Sequence, residues 1–270
     1  MTETNIFLAA LIFALRVGLI GAGWCWILRK EDPDRLYTWL TTWCLGLIGS
    51  ALIACTLGFA GHYRPGIEWT CIGVLSVTGF VLGRIRGQRI DFAERLSGAA
   101  LFFGIVLIAL LLPQRGEWIA GGWDPGVYIN QGVAFERNGA FDIPDDFFEH
   151  PDFEKSQMLF SDVVNKRWER YPGFIANNHV DGLRFEFFRL TPSMNAVLVR
   201  SGGLRLLHRG NTIFAILTVM ALVVWLRESG RHPWAWLAGV FLVFQPIWLY
   251  HSHTPTTEML QLLILLFFAI

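Results

Sequence analysis

Residues 5–28 read NIFLAALIFALRVGLIGAGWCWIL, a run of apolar residues broken by one charge, Arg16. A helix rises about 1.5 Å per residue, so roughly 20 apolar residues cross the hydrocarbon core of a bilayer. Working outward from this run, similar stretches lie at 36–61, 66–83, 96–113, 211–226 and 233–250, and a seventh begins at 257 and runs to 270. Lipid offers no water to unpaired backbone groups, so such spans are expected to be helices. The expected fold class is therefore all-α: a polytopic membrane protein built as a helical bundle.

Composition agrees. The chain is 53% hydrophobic and only 16% charged, too little charge to cover a soluble domain of 270 residues. Its mean hydropathy is +0.43. The formal net charge is zero, so nothing in it suggests a nucleic-acid partner held by bulk electrostatics, and none is expected. Cys25, Cys44, Cys55 and Cys71 lie in apolar stretches without metal-ligand spacing and read as small buried hydrophobes. The first span is too long for a cleaved signal, and no basic region precedes it. The run MLQLLILLFFAI at 259–270 ends without a polar anchor, which suggests a piece of a longer protein.

Short-loop basic residues set an expected orientation. Arg29, Lys30 and Arg35 follow the first span, Arg84, Arg86, Arg89 and Arg95 the third, and Arg227 and Arg231 the fifth. The opposite connections, 62–65 and 251–256, hold only Arg64. The basic loops belong in the cytoplasm by the positive-inside rule, and segment 114–210 then lies outside it. Within that segment, 193–209 (SMNAVLVRSGGLRLLHR) carries three arginines and a Gly pair, so it reads as an interfacial helix rather than a span.

The outer segment holds thirteen Asp or Glu against eight Lys or Arg over 114–190, and it is rich in aromatics, which argues against a plain linker. It opens with EWIAGGWDPGVYINQG at 117–132. Asp124 has two readings. It caps a helix that starts at Pro125, which is the ordinary use of Asp there, or it serves a site, with Tyr128 one turn further along. A second acid, Glu258, opens an apolar helix after HSHTPTT at 251–257, and it too suits a helix start. Acids at a membrane boundary are functional candidates by default. By this topology both reach the outer interface, where two carboxylates could position and deprotonate an acceptor. His251 and His253 stand close by, but no third ligand accompanies them, so a divalent metal has only weak support and no metal ligand is assigned.

This order of features resembles the GT-C superfamily of polyprenyl-phosphate-sugar-dependent glycosyltransferases, of the protein-mannosyltransferase type. In that family a span delivers an acid into the first large outer loop, interfacial helices follow, and a later outer loop carries a Ser/Thr–Glu sequence. GGWDPGVYINQG is similar to the first motif, FFRLTPSMNAVL and 193–209 to the interfacial helix, RESGRHPW to the inner loop, and HSHTPTTEML to the second acidic loop. The resemblance covers roughly 96–270, and makes 1–95 an addition of three spans before a GT-C-like core. Pro125 follows Asp124 where many members carry a second acid, which argues against metal-assisted chemistry.

The resemblance implies transfer of a sugar from a polyprenyl-phosphate carrier to a glycan, lipid or protein acceptor. The site would lie on the extracytoplasmic face of a bacterial-type inner or plasma membrane. Asp124 would be the base and Glu258 the second acid. Tyr128, His179, Arg184, Arg189, His251 and His253 are candidates by type and side to bind substrate, the cations among them toward the carrier phosphate. Two rivals stay open: a transporter or flippase, and a non-catalytic membrane scaffold. Arg16 is expected to face the bundle or snorkel, and Glu68 to reach the interface without a function.

Overall fold

The first three apolar runs fold as single long helices. The computed structural model describes residues 6–28, 35–86, 124–146, 161–163, 167–177 and 182–270. The expected span 96–113 and His179 lie outside the described residues. The first three runs form α1 (Ile6–Leu28), α2 (Arg35–Phe59) and α3 (Pro65–Ile85). Together with a later helix, Gly210–Glu228, they are the four described helices long and apolar enough to cross a membrane. Phe7, Leu11 and Leu15 of α1 and Val74, Val77 and Val81 of α3 are exposed, a use of apolar surface suited to lipid and not to water.

Small residues bring these helices together. Gly46 of α2 meets the Val17 carbonyl of α1, and Gly21 of α1 meets the Thr42 carbonyl of α2, an antiparallel register. Gly23 of α1 lies against Gly79 of α3, and Trp26 against Gly83, a parallel one. Apolar side chains gain little by leaving lipid for each other, so close backbone approach at glycine is an effective way to associate helices there.

Beyond α3 the description resumes with α4 (Asp124–Asn138) and five strands, β1 (Asp142–Pro144), β2 (Ser161–Val163), β3 (Arg167–Tyr171), β4 (Phe174–Asn177) and β5 (Gly182–Phe185). They form one antiparallel sheet in the order β1-β5-β4-β3-β2. The chain is mostly helical, but this sheet corrects the expectation of helices alone across 114–210. Strands of three to five residues are too short for an alternating pattern to stand out. Gly173, in the left-handed region at φ 78°, turns the β3–β4 hairpin, and Gln131 of α4 donates to its carbonyl at 2.7 Å.

The second correction concerns 193–209. It belongs to α5 (Leu190–Leu207), kinked where Gly203 adopts φ 67°, and its residues from Pro192 to Val199 are buried. Rather than lying on a surface, α5 is packed among α1, α2 and α4. Its arginine at 200 finds carboxylates inside the protein, which removes the need for headgroups.

The remaining helices are α6 (Gly210–Glu228), α7 (His232–Val243), α8 (Pro246–His253) and α9 (Glu258–Ala269). The expected single span 233–250 is thus broken. Pro246 has no N–H to give and crowds the preceding turn, and Gln245 is extended at φ −72°, ψ 126°. One continuous core joins Phe13 and Leu40 of the first helices to Ile129, Val197, Phe214 and Leu260, so packing runs unbroken across residue 95.

A side chain at the α1–α2 seam should be poorly tolerated. Gly46→Leu is expected to lower stability by about 1–3 kcal/mol through overpacking, read as a lower thermal midpoint in detergent. Gly73→Ala, where an added Cβ meets open space, should show no loss.

Candidate active site

Acids at two helix starts both bear on one phenol, that of Tyr128. Asp124 opens α4 and is exposed, with Pro125 behind it in the first turn, where its missing N–H goes unneeded. Tyr128 follows one turn later on the same helix face. Its ring is 9% exposed and lies 5.1 Å from the Phe187 ring, while its carbonyl accepts a 3.0 Å hydrogen bond from Asn195 of α5.

Glu258 opens α9 from the other side. Thr257 occupies the cap position, and its hydroxyl makes no cap bond to the helix. Burial raises the Tyr128 pKa above the ordinary value. The nearby Thr257 hydroxyl opposes that rise, and the charges of Asp124 and Glu258 both add to it. Tyr128 therefore feels both acids, and it stays a neutral hydroxyl at pH 7.

The loop that delivers Glu258 is held from α6. Asn211 Nδ2 donates to the carbonyls of His251 at 3.1 Å and Thr256 at 3.0 Å, and also to that of Thr254. Thr212 donates to the Ser252 carbonyl at 3.1 Å. His251 Nδ1 lies 3.2 Å from the Thr256 hydroxyl and 3.8 Å from Glu258 Oε2, inside ion-pair range but beyond a hydrogen bond. Glu258 itself is 53% exposed.

The other candidates divide. Arg184 Nε donates to Asp142 Oδ1 at 2.9 Å across the β1–β5 pair, and this bond holds its pKa up. Arg189 lies near that pair. Burial, then the Arg184 charge, lowers its pKa, yet it remains a cation; it donates to the Phe187 carbonyl at 3.3 Å. His253 is half-buried, which lowers its pKa, and among the described contacts around Tyr128 and Glu258 it takes no part. Among the described residues no group of three or more His, Cys, Asp or Glu could hold a metal ion.

The structure thus brings His251 to Glu258, and the charges of Asp124 and Glu258 both bear on Tyr128. Arg184 and Arg189 form a second group around Asp142, linked to the first through Phe187. Sequence reasoning did not single out Thr257, Phe187 or Asn211. A lone Asn early in an apolar span was the available sign for Asn211. Two exposed carboxylates beside a neutral phenol can orient a hydroxyl-bearing molecule and accept its proton. No protein-family model, curated protein or solved structure matches the chain.

The convergence has a direct test. A fluorotyrosine placed at 128 and followed by 19F NMR should titrate above free fluorotyrosine. Asp124→Asn and Glu258→Gln should each bring the midpoint down, because each removes a negative charge that resists ionisation. A midpoint indifferent to both changes would separate the acids from the phenol.

Proposed function

We propose that this protein is a membrane glycosyltransferase that moves a sugar from a polyprenyl-phosphate carrier to an extracytoplasmic glycan, lipid or protein acceptor. What supports the reading is that the charges of Asp124 and Glu258, at helix starts far apart in sequence, both raise the pKa of the Tyr128 phenol. Asp124 is the base: it takes the proton of the acceptor hydroxyl as the oxygen attacks the anomeric carbon, and the bond from that carbon to the carrier phosphate breaks. Glu258, with His251 beside it, and the Tyr128 hydroxyl orient the acceptor. Arg189, near the Arg184–Asp142 pair, is suited to the charge that develops on the departing phosphate.

The membrane setting supports this. A lipid-linked donor presents its phosphate at the bilayer boundary, and the acids stand at the ends of helices bordering apolar spans. The basic loops put this end outside the cytoplasm of a bacterial-type inner or plasma membrane. The short motifs that resemble the GT-C superfamily are the ones that meet here, DPGVY at 124–128 and TTE at 256–258.

A conduit reading draws on Arg16 and Glu68, ionisable groups inside two spans. Both are 1% exposed and paired to each other, which leaves them unavailable to a passing solute.

The test is sugar transfer by purified protein in liposomes, with a radiolabelled polyprenyl-phosphate sugar and a hydroxyl acceptor. Asp124→Asn should lower the rate by about 10²–10⁴-fold, the usual worth of a general base. Arg189→Gln should act chiefly on the donor's KM. Transfer that survives Asp124→Asn unchanged would overturn the assignment of the base.

A further inference from the structure

A second set of charges lies buried away from the proposed site. Glu68 sits in the first turn of α3 with its side chain 1% exposed. Its Oε1 accepts from the Tyr63 hydroxyl at 3.1 Å and lies 3.3 Å from Arg16 Nη1. Its Oε2 accepts from Arg16 Nη2 at 3.4 Å and from Arg200 Nη1 at 3.1 Å. Arg16 Nη1 also donates to the Val197 carbonyl of α5 at 3.2 Å. Arg200 spreads its remaining donors: Nη2 reaches the Tyr63 carbonyl at 3.3 Å and the Glu136 carbonyl at 3.1 Å, and Nε reaches Glu136 Oε1 at 3.4 Å. Its guanidinium carbon stands 3.7 Å over the Tyr63 ring centroid.

Such a cluster is a poor device for stability alone. Desolvating several charges offsets much of their attraction, and apolar residues of like volume often do as well. What paired guanidiniums add is direction, because their donors form a rigid fork. Here the fork ends on α4. Glu136 lies in the last turn of that helix, where carbonyls have no partner within the helix, so Arg200 caps the end opposite Asp124. Asn195, on the same helix as Arg200, holds the Tyr128 carbonyl, and Gly132 lies against Asn195 with no room for a Cβ. α5 thus grips α4 at both ends, and Glu68 and Arg16 grip α5.

We propose that Glu68 and Arg200 are positioning residues for the Asp124–Tyr128–Glu258 site: a buried ion-pair network ties α3 to α5 and caps α4, setting how far along its axis α4 lies. α4 is a rod of 15 residues, and a slip of one turn would carry Asp124 and Tyr128 about 5.4 Å from Thr257 and Glu258. The inference rests on the proposed site being where those groups meet, and does not require that the reaction be sugar transfer.

The test reads geometry in the full chain, in detergent or lipid discs, without substrate. Fluorotyrosine at 128 reports Glu258 through the fall in its titration midpoint on Glu258→Gln. In Glu68→Gln and in Arg200→Lys that response should be lost. Arg200→Lys keeps the charge beside Glu68 but cannot reach the Tyr63 and Glu136 carbonyls together, so it stands as the deciding variant if Glu68→Gln does not fold. Glu136→Gln, which keeps the carbonyl, should retain the response. A response of full size in a folded Arg200→Lys protein overturns the proposal, and so does the absence of any response in the unaltered background. Sugar transfer is measured separately, so its absence would count against the reaction and not against the network.

Discussion

A carboxylate sealed between two guanidiniums is the constraint on which the arrangement of this protein turns. Glu68 joins α1, α3 and α5 at one point, and Arg200 extends the junction to α4. Removing one partner would leave an uncompensated buried charge, a large penalty where water is excluded, so the members of the network stand or fall together. α1 and α3 are therefore tied to the part of the chain that carries the candidate site by ion pairs, and α1 and α2 by a common apolar core.

Two kinds of packing share the work around this junction. In the spans, glycine lets backbones touch, at Gly21 and Gly46 and at Gly23 and Gly79, where lipid on the far side removes the usual advantage of larger apolar contacts. In the segment between the spans, aromatic rings take over: Tyr63, Phe135 and Phe141 stack in sequence, and Phe185 meets Phe141 and Phe174 edge-on. These rings link the sheet to the ends of α2 and α4. The sheet thereby becomes part of the support for the proposed site, with Gly173 of its hairpin against Val127 and Gln131.

The site itself depends on helix starts. Asp124 and Glu258 each sit where a helix begins, the position at which an acid is favoured by exposed N–H groups whether or not it has other work. At the start of Glu258's helix the Thr257 hydroxyl makes no cap bond, so capping there is not the work of that side chain. The proposed chemistry rests on two exposed carboxylates whose charges both bear on a neutral phenol.

Membrane-spanning helices were legible from the chain because length and apolarity are one-dimensional properties. The runs at 5–28, 36–61, 66–83 and 211–226 become helices within a few residues of their expected bounds. The helix starts at Pro125 and Glu258 were legible as well, since proline and acid preferences act within a single turn. The break at Pro246 and the sheet were local too, but strands of three to five residues leave too faint a pattern. What tertiary structure alone decided is which remote groups meet. Glu68 read as an interfacial acid and Arg200 as one of three arginines of an interfacial helix, because each was judged against the solvent expected at its place in the chain. Folding put them against each other, through contacts between residues far apart in the chain, which no local pattern encodes.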